Sequence, residues 1–327
     1  MIVAATIGPV PLSSRQVVQG FLASLGLAEG VDPVVTSVVG SIRAPRVVLG
    51  ALVGAALASA GVAMQALFRN PLADAGLLGV SSGGALGSAL AIVVFGEVSA
   101  SIPALAATRP AAAFAGGLIA TVVILRIGRR GGAADVGIML LAGVAMNAIS
   151  GSMLGLLSHV ASDAQLRDIT FWTLGNLSNA SWRTVAVTAP PMLACTYLLP
   201  FFAQKLDVYQ LGEAEARHLG VDTGALVRAL VVLAALAVGG TVAAAGLVGF
   251  VGLVVPHATR LVMGGLHRGV AIAAPLMGAL LLVVADAVAR WVVSPAELPV
   301  GVLTAALGAP FFLVLVLRAR RAREGPT

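Results

Sequence analysis

The sequence predicts an all-α integral membrane protein, a helical bundle of about nine spans, and three observations carry that prediction. Hydrophobic residues make up 59% of the 327 positions and charged residues only 10%, where soluble domains carry roughly 25% charged residues. Uncharged runs of membrane-spanning length recur along the chain. The basic residues then fall unequally on the two sides that those runs define. The alternating short segments of a membrane β-barrel are absent from the sequence.

A helix satisfies its own backbone in hydrocarbon and needs about 20 apolar residues to cross it. Runs 47–68, 75–96, 136–162, 184–204 and 298–317 are long enough without interruption. Runs 109–126 and 268–286 qualify if an end charge snorkels or a polar group is paired. Stretch 229–259 is too long for one helix and contains Pro256, so it is divided, which brings the spans to nine. Threading them alternately puts thirteen of the 20 Lys and Arg residues on the side of Arg69, Arg126, Lys205, Arg217 and the terminal RARRARE, and seven on the other. Basic residues accumulate in cytoplasmic loops, so the first side is the cytoplasm. That asymmetry accounts for the net charge of +6; the surface partner is the lipid bilayer and no nucleic acid is inferred. The lone Cys195 lies in an apolar run, which excludes an internal disulfide and a cysteine-based metal site.

An internal repeat bears on the architecture. A shift of 185 residues lays ALASAGVAMQALFRNPLA on TVAAAGLVGFVGLVVPHA, so that Gly61 meets Gly246, Pro71 meets Pro256 and Gly79 meets Gly264. A weaker echo sets ADVGIMLLAG against LPVGVLTAALG at a different offset. The first copy starts outside and the second inside, so the repeat is inverted, an arrangement common in transporters. One transmembrane domain, 1–327, is expected, with repeats at about 41–162 and 224–318 and an inserted helix and cytoplasmic stretch at about 183–222. Within that stretch LDVYQLGEAEARHLGVD (206–222) is short and amphipathic, with Gly212 placed as helix start and Gly220 as C-cap, which favours a small helix that docks on a partner.

Four separated motifs, in order between Ser41 and Arg318, carry a resemblance. RAPRVVLGALVGAALASAGVAMQALFRNPLADAGLLGVSSGG, LGEAEARHLGVD, GLVGFVGLVVPHATRLV and ELPVGVLTAALGAPFF resemble FecCD-type permease subunits of ATP-driven importers for cobalamin, haem and ferric siderophores. The resemblance implies the inverted-repeat bundle of a type II ABC importer permease, with ten helices and a homodimer around a central pathway. It implies two cytoplasmic ATPase subunits, which hold the ATP and Mg, and one periplasmic substrate-binding protein, in the inner membrane. It also implies roles for particular residues. Gly212, Glu213, Ala216, Arg217, Leu219 and Gly220 would form the segment coupled to the ATPase. Asn70 and Leu72 would line a cytoplasmic gate, with Val136 and Gly137 in the neighbouring one. Arg43, Arg46 and Arg290 would pair with glutamates of the docked binding protein. One departure stands out: family members begin with a full helix where this chain has only MIVAATI, too short to cross a bilayer and lacking the basic region of a signal peptide. Either the chain starts downstream of that helix or its N-terminus lies outside.

Three function classes compete. The importer permease is favoured; the chain has no phosphate-binding loop and its only lysine is Lys205, so it is no ATPase itself and no cofactor is expected in it. A proton-coupled secondary transporter would use Asp286, but Arg290 four residues on offers a structural pairing. An intramembrane hydrolase would use GVSSG (79–83), yet that motif opens a membrane helix, where glycine and serine serve packing. The histidines do not make a metal site: His218 and His267 fall in cytoplasmic loops as solvated residues, His257 sits at a helix break, and His159, at the outer end of its span, is the one histidine to consider near a substrate, without being assigned to the site. The outer stretch DAQLRDITFWTLGNLSNASW (163–182) resembles haem permeases, so haem is the expected cargo, with a ferric siderophore or cobalamin as alternatives.

Overall fold

The computed structural model describes residues 2–8, 11–99, 107–130, 133–293 and 296–324. In chain order the helices are α1 (Ile2–Thr6), α2 (Ser14–Ser24), α3 (Pro33–Ser37), a π-helical turn (Val38–Arg43), α4 (Ala44–Leu67), a 3₁₀ turn (Ala75–Leu78), α5 (Val80–Ser99), α6 (Thr108–Ile127), α7 (Val136–Val160), α8 (Asp163–Thr173), α9 (Trp182–Leu198), a 3₁₀ turn (Leu199–Phe202), α10 (Ala203–Tyr209), α11 (Glu213–His218), α12 (Thr223–Ala245), α13 (Val251–Met263), α14 (His267–Val292) and α15 (Val300–Glu324). A two-residue antiparallel ladder, Arg129–Arg130 with Ala133–Ala134, precedes α7. Each of the nine expected spans has its helix: α4, α5, α6, α7, α9 with α10, α12, α13, α14 and α15.

The core is α4, which packs against α14, α12, α9 and α13. Its sequence explains the position, because small residues let helix backbones approach where lipid offers no hydrophobic drive. A Cβ on Gly54 would lie 2.1 Å from the Gly278 oxygen, and one on Gly61 1.8 Å from that of Gly252. The α5–α6 pair repeats the device, with Gly83 and Gly116 facing each other.

Two breaks interrupt the bundle. After α4 the chain turns at Arg69–Asn70, with φ of 47° at Arg69, before the 3₁₀ turn and α5. After α12, residues 246–250 leave helix and α13 follows with 13 residues. At 1.5 Å per residue that is about 20 Å, short of a hydrocarbon core of about 30 Å. Irregular backbone at membrane depth must find partners inside the protein. Gln65 of α4 supplies one, its Nε2 donating to the Leu253 carbonyl at 3.0 Å, and Asn176 N donates to Ala245 O at 2.8 Å. Phe250 adopts φ of 65° to turn the chain into α13.

The 185-residue shift does not superpose like elements: Pro71 lies in the turn after α4, Pro256 inside α13. The weaker echo aligns better, since Val136 and Val300 are the first residues of α7 and α15. Glycine and alanine recur through the long spanning helices, so residue matching favours composition over position.

Candidate functional site

The cytoplasmic stretch 203–223 is built from its glycines outward. Gly212 holds φ of 140° at the start of α11, and a Cβ there would meet the Glu215 carboxylate at 1.7 Å. At the other end Gly220, φ 83°, closes α11 in a Schellman turn: Val221 N bonds Ala216 O and Gly220 N bonds Arg217 O. Inside this helix Ala216 is buried, while Leu219 and Leu211 are 63% and 66% exposed. Arg217 bonds Glu213 four residues back, and its Nε donates to Thr223 Oγ1 of α12 at 2.9 Å. A polar clamp thus fixes α11 to α12 and leaves Leu211 and Leu219 bare beside it.

The preceding helix ties this unit to the core. Asp207 of α10 receives both the backbone N and the ring Nδ1 of His267, at 3.0 and 2.7 Å. Gln210 Nε2 donates to the Ala66 carbonyl in the last turn of α4 at 2.9 Å. Tyr209 is buried, with the Arg69 guanidinium 4.8 Å above its ring. His267, expected in solvent, is therefore a buried strut, 4% exposed; His218 is exposed as expected. No sequence signal marked Asp207, because its partner lies 60 residues away.

Asn70 and Leu72 occupy the turn after α4, where Asn70 Oδ1 accepts from Leu72 N at 2.9 Å. Val136 and Gly137 open α7, whose N-cap Asp135 accepts from Ile138 N at 3.0 Å. The 3₁₀ turn between α4 and α5 packs on α7: a Cβ at Gly143 would lie 1.8 Å from Leu77 O. Behind it Ser82, the second serine of GVSSG, donates to Asn147 Oδ1 at 2.6 Å and ties α5 to α7.

At the outer end, Arg43, Arg46 and Arg290 depart from expectation. As residues that present their charge to a docked protein they should be open to solvent, yet they are 5%, 7% and 4% exposed and engaged within the chain. Arg46 grips Asp286 through Nε and Nη2, at 3.0 and 2.9 Å to Oδ1, and Glu297 through Nη1 at 2.8 Å. Arg290 bonds the other Asp286 oxygen at 3.1 Å. The remaining donors reach the carbonyls that end α1: Arg43 to Ala5 at 2.6 Å and Thr6 at 3.2 Å, Arg290 to Ala4 at 2.8 Å and to Ile7. A helix C-terminus carries partial negative charge and unpaired carbonyls, so three guanidiniums, two carboxylates and one helix end come close to balance. Asp286 is an ion-pair partner here, as its spacing to Arg290 implied. Among the described residues no group of three His, Cys, Asp or Glu side chains could hold a metal.

Comparison with known proteins places this arrangement. The FecCD transport family matches residues 1–318. The hemin transport system permease protein HmuU of Yersinia pestis is 44% identical over 287 residues, 87% of this chain and 84% of the relative. The cobalamin import system permease protein BtuC of Halobacterium salinarum is 37% identical over 356 residues, 99% of this chain and 94% of the relative. A solved structure described as an inward-facing conformation of a metal-chelate type ABC transporter superposes with a TM-score of 0.80 at 30% identity, over 93% of this chain and 97% of that one. PsaBC from Streptococcus pneumoniae shares the fold, with a TM-score of 0.55 at 19% identity over 82% of this chain and 89% of that one. With nine apolar helices among the described residues, a glycine-packed α4 at the core, and a family match along nearly its whole length, the chain is a multi-pass membrane transport permease and belongs to the FecCD transport family.

Proposed function

We propose that this chain is the membrane subunit of an ATP-driven importer that carries haem from the periplasm across the inner membrane by alternating access. The observation that carries the substrate is the 44% identity to a hemin permease along 87% of the chain. In support, α8 carries the first half of the stretch that resembles haem permeases and exposes Phe171 to 56%. A cobalamin importer is the second reading, favoured by the relative that covers 99% of the chain.

In this reading α11 receives the ATPase, whose nucleotide chemistry lies wholly in the partner, and Leu211 and Leu219 are its bare contacts. The turns around Asn70–Leu72 and Val136–Gly137 close the inner mouth. A second copy of the chain would face α7. That helix is 11% buried over its most apolar window, against 78% for the span containing α4. It nevertheless carries Ser152 and His159 exposed and Ser158 half-buried, and polar side chains on a bare membrane helix suit a water-lined path better than lipid.

The test is ATP hydrolysis by the assembled complex with its binding protein. Haemin should raise the rate and a ferric siderophore or cobalamin should not. Stimulation by either of these without a response to haemin would replace haem as cargo.

A further inference from the structure

Two contiguous cavities run inward from the outer ends of α6, α9 and α12, and the larger, ≈ 580 Å³, is walled by Ala111, Phe114, Val187, Pro191, Gly240 and Ala243. Along α9 it extends from Arg183 to Pro191, about 12 Å at the helical rise. Gly240 keeps its floor clear, since a Cβ there would come within 3.2 Å of the Pro191 ring. The smaller cavity, ≈ 390 Å³, shares Pro110, Thr184 and Ala243 with it and opens among Arg109, Asp168 and Trp172. The larger cavity is mostly apolar, with Thr184 and Thr188 as its uncharged polar lining, and the charged residues lie at the mouth.

The charge at the mouth lacks an internal explanation. Arg109 faces Asp168 at 3.9 Å, a loose and exposed pair. Arg183 is exposed and makes no ion pair among the described residues. It stands in the first turn of α9, where the helix dipole disfavours a cation, and on the translocated side, where basic residues oppose the topology. A guanidinium set against both costs, above an acyl-sized apolar slot in the bilayer's outer half, matches one ligand: an anionic lipid with its phosphate on Arg183 and one chain along Phe114 and Val187.

We propose that this groove is a specific site for an anionic phospholipid of the outer leaflet. It holds the outer ends of α6, α9 and α12 together, and its occupation is independent of which cargo the permease carries. Phosphate suits the planar guanidinium fork, and a buried chain supplies packing that ring and methyl groups alone leave unfilled.

The experiment is native mass spectrometry of the full chain, released from bilayer discs containing equal amounts of phosphatidylglycerol and phosphatidylcholine. Retained phosphatidylglycerol should exceed phosphatidylcholine about fivefold, the ratio that ~1 kcal/mol for one arginine at an anionic surface gives. Arg183→Gln should bring the two lipids to parity, and Ala243→Leu, which fills the groove, should remove the retained lipid altogether. Parity in the wild-type chain, or a preference unchanged by both substitutions, overturns the proposal. So does haemin, added at equal concentration, taking the lipid's place, because the groove would then be a cargo site.

Discussion

Asp207 Oδ1 accepts two hydrogen bonds from one residue, His267, at the backbone N and at ring Nδ1. The carboxylate therefore caps α14 and grips its first side chain at once. Only three residues separate α10 from α11, so in the proposed reading a displacement of α11 would pass to α14 through this contact and to α4 through Gln210. Asp207→Ala should leave the subunit folded but separate ATP hydrolysis from transport. Loss of a charged hydrogen bond, ~1.5–3 kcal/mol, corresponds to roughly a tenfold or greater fall in import per ATP. His267→Ala should give the same phenotype, and the double variant no more than either single one. Additive losses would show that the two residues act separately.

The outer arginine cluster makes a stability prediction. Asp286→Ala leaves Arg46 and Arg290 facing each other without their shared carboxylate, and breaking a buried pair costs about 3–5 kcal/mol. Thermal unfolding in detergent should fall clearly, and Glu297→Ala, whose partner keeps Asp286, should cost less. Equal losses would mean that Asp286 is not the centre of the cluster.

Gly212 predicts a local failure. Its φ of 140° is a backbone conformation that residues with a side chain rarely adopt, and a methyl group there would also displace the Glu215 carboxylate. Gly212→Ala should perturb α11 alone, lowering affinity for the ATPase subunits while unfolding temperature stays unchanged. Paired Glu213→Ala and Arg217→Ala changes, which open the clamp to Thr223, should weaken the same binding. Wild-type binding and import in these variants would remove α11 from the mechanism.

Packing predicts a different outcome at Gly61, where a Cβ would fall 1.8 Å from the Gly252 carbonyl. Gly61→Leu must push α13 off α4 and break the Gln65–Leu253 bond, an overpacking cost of about 1–3 kcal/mol or more. The yield of folded protein is the readout, and a fully stable variant would refute the close approach.

Much of this molecule was legible from local sequence. Spans announced themselves because hydrocarbon demands length and apolarity, and Gly212 and Gly220 marked α11 because only glycine takes those backbone angles cheaply. The Asp286–Arg290 pair was visible at helical spacing. What stayed hidden depends on residues distant in sequence. Arg46 meets Asp286 across 240 positions, so arginines that looked like a free outer rim are internal ties. His267 looked solvated because the loop around it is polar, while Asp207 came from another helix. The α13 break was anticipated only as a division near Pro256; in the structure Pro256 sits inside α13, and Gly246 and Phe250 make the turn before it.

The most direct test of the central claim is uptake into proteoliposomes that hold this chain with its ATPase subunits, supplied outside with binding protein and haemin. The account predicts accumulation that requires ATP hydrolysis, stops when the ATPase subunits are omitted, and continues when an uncoupler collapses the proton gradient. Accumulation that survives removal of the ATPase subunits and disappears with the uncoupler would contradict it.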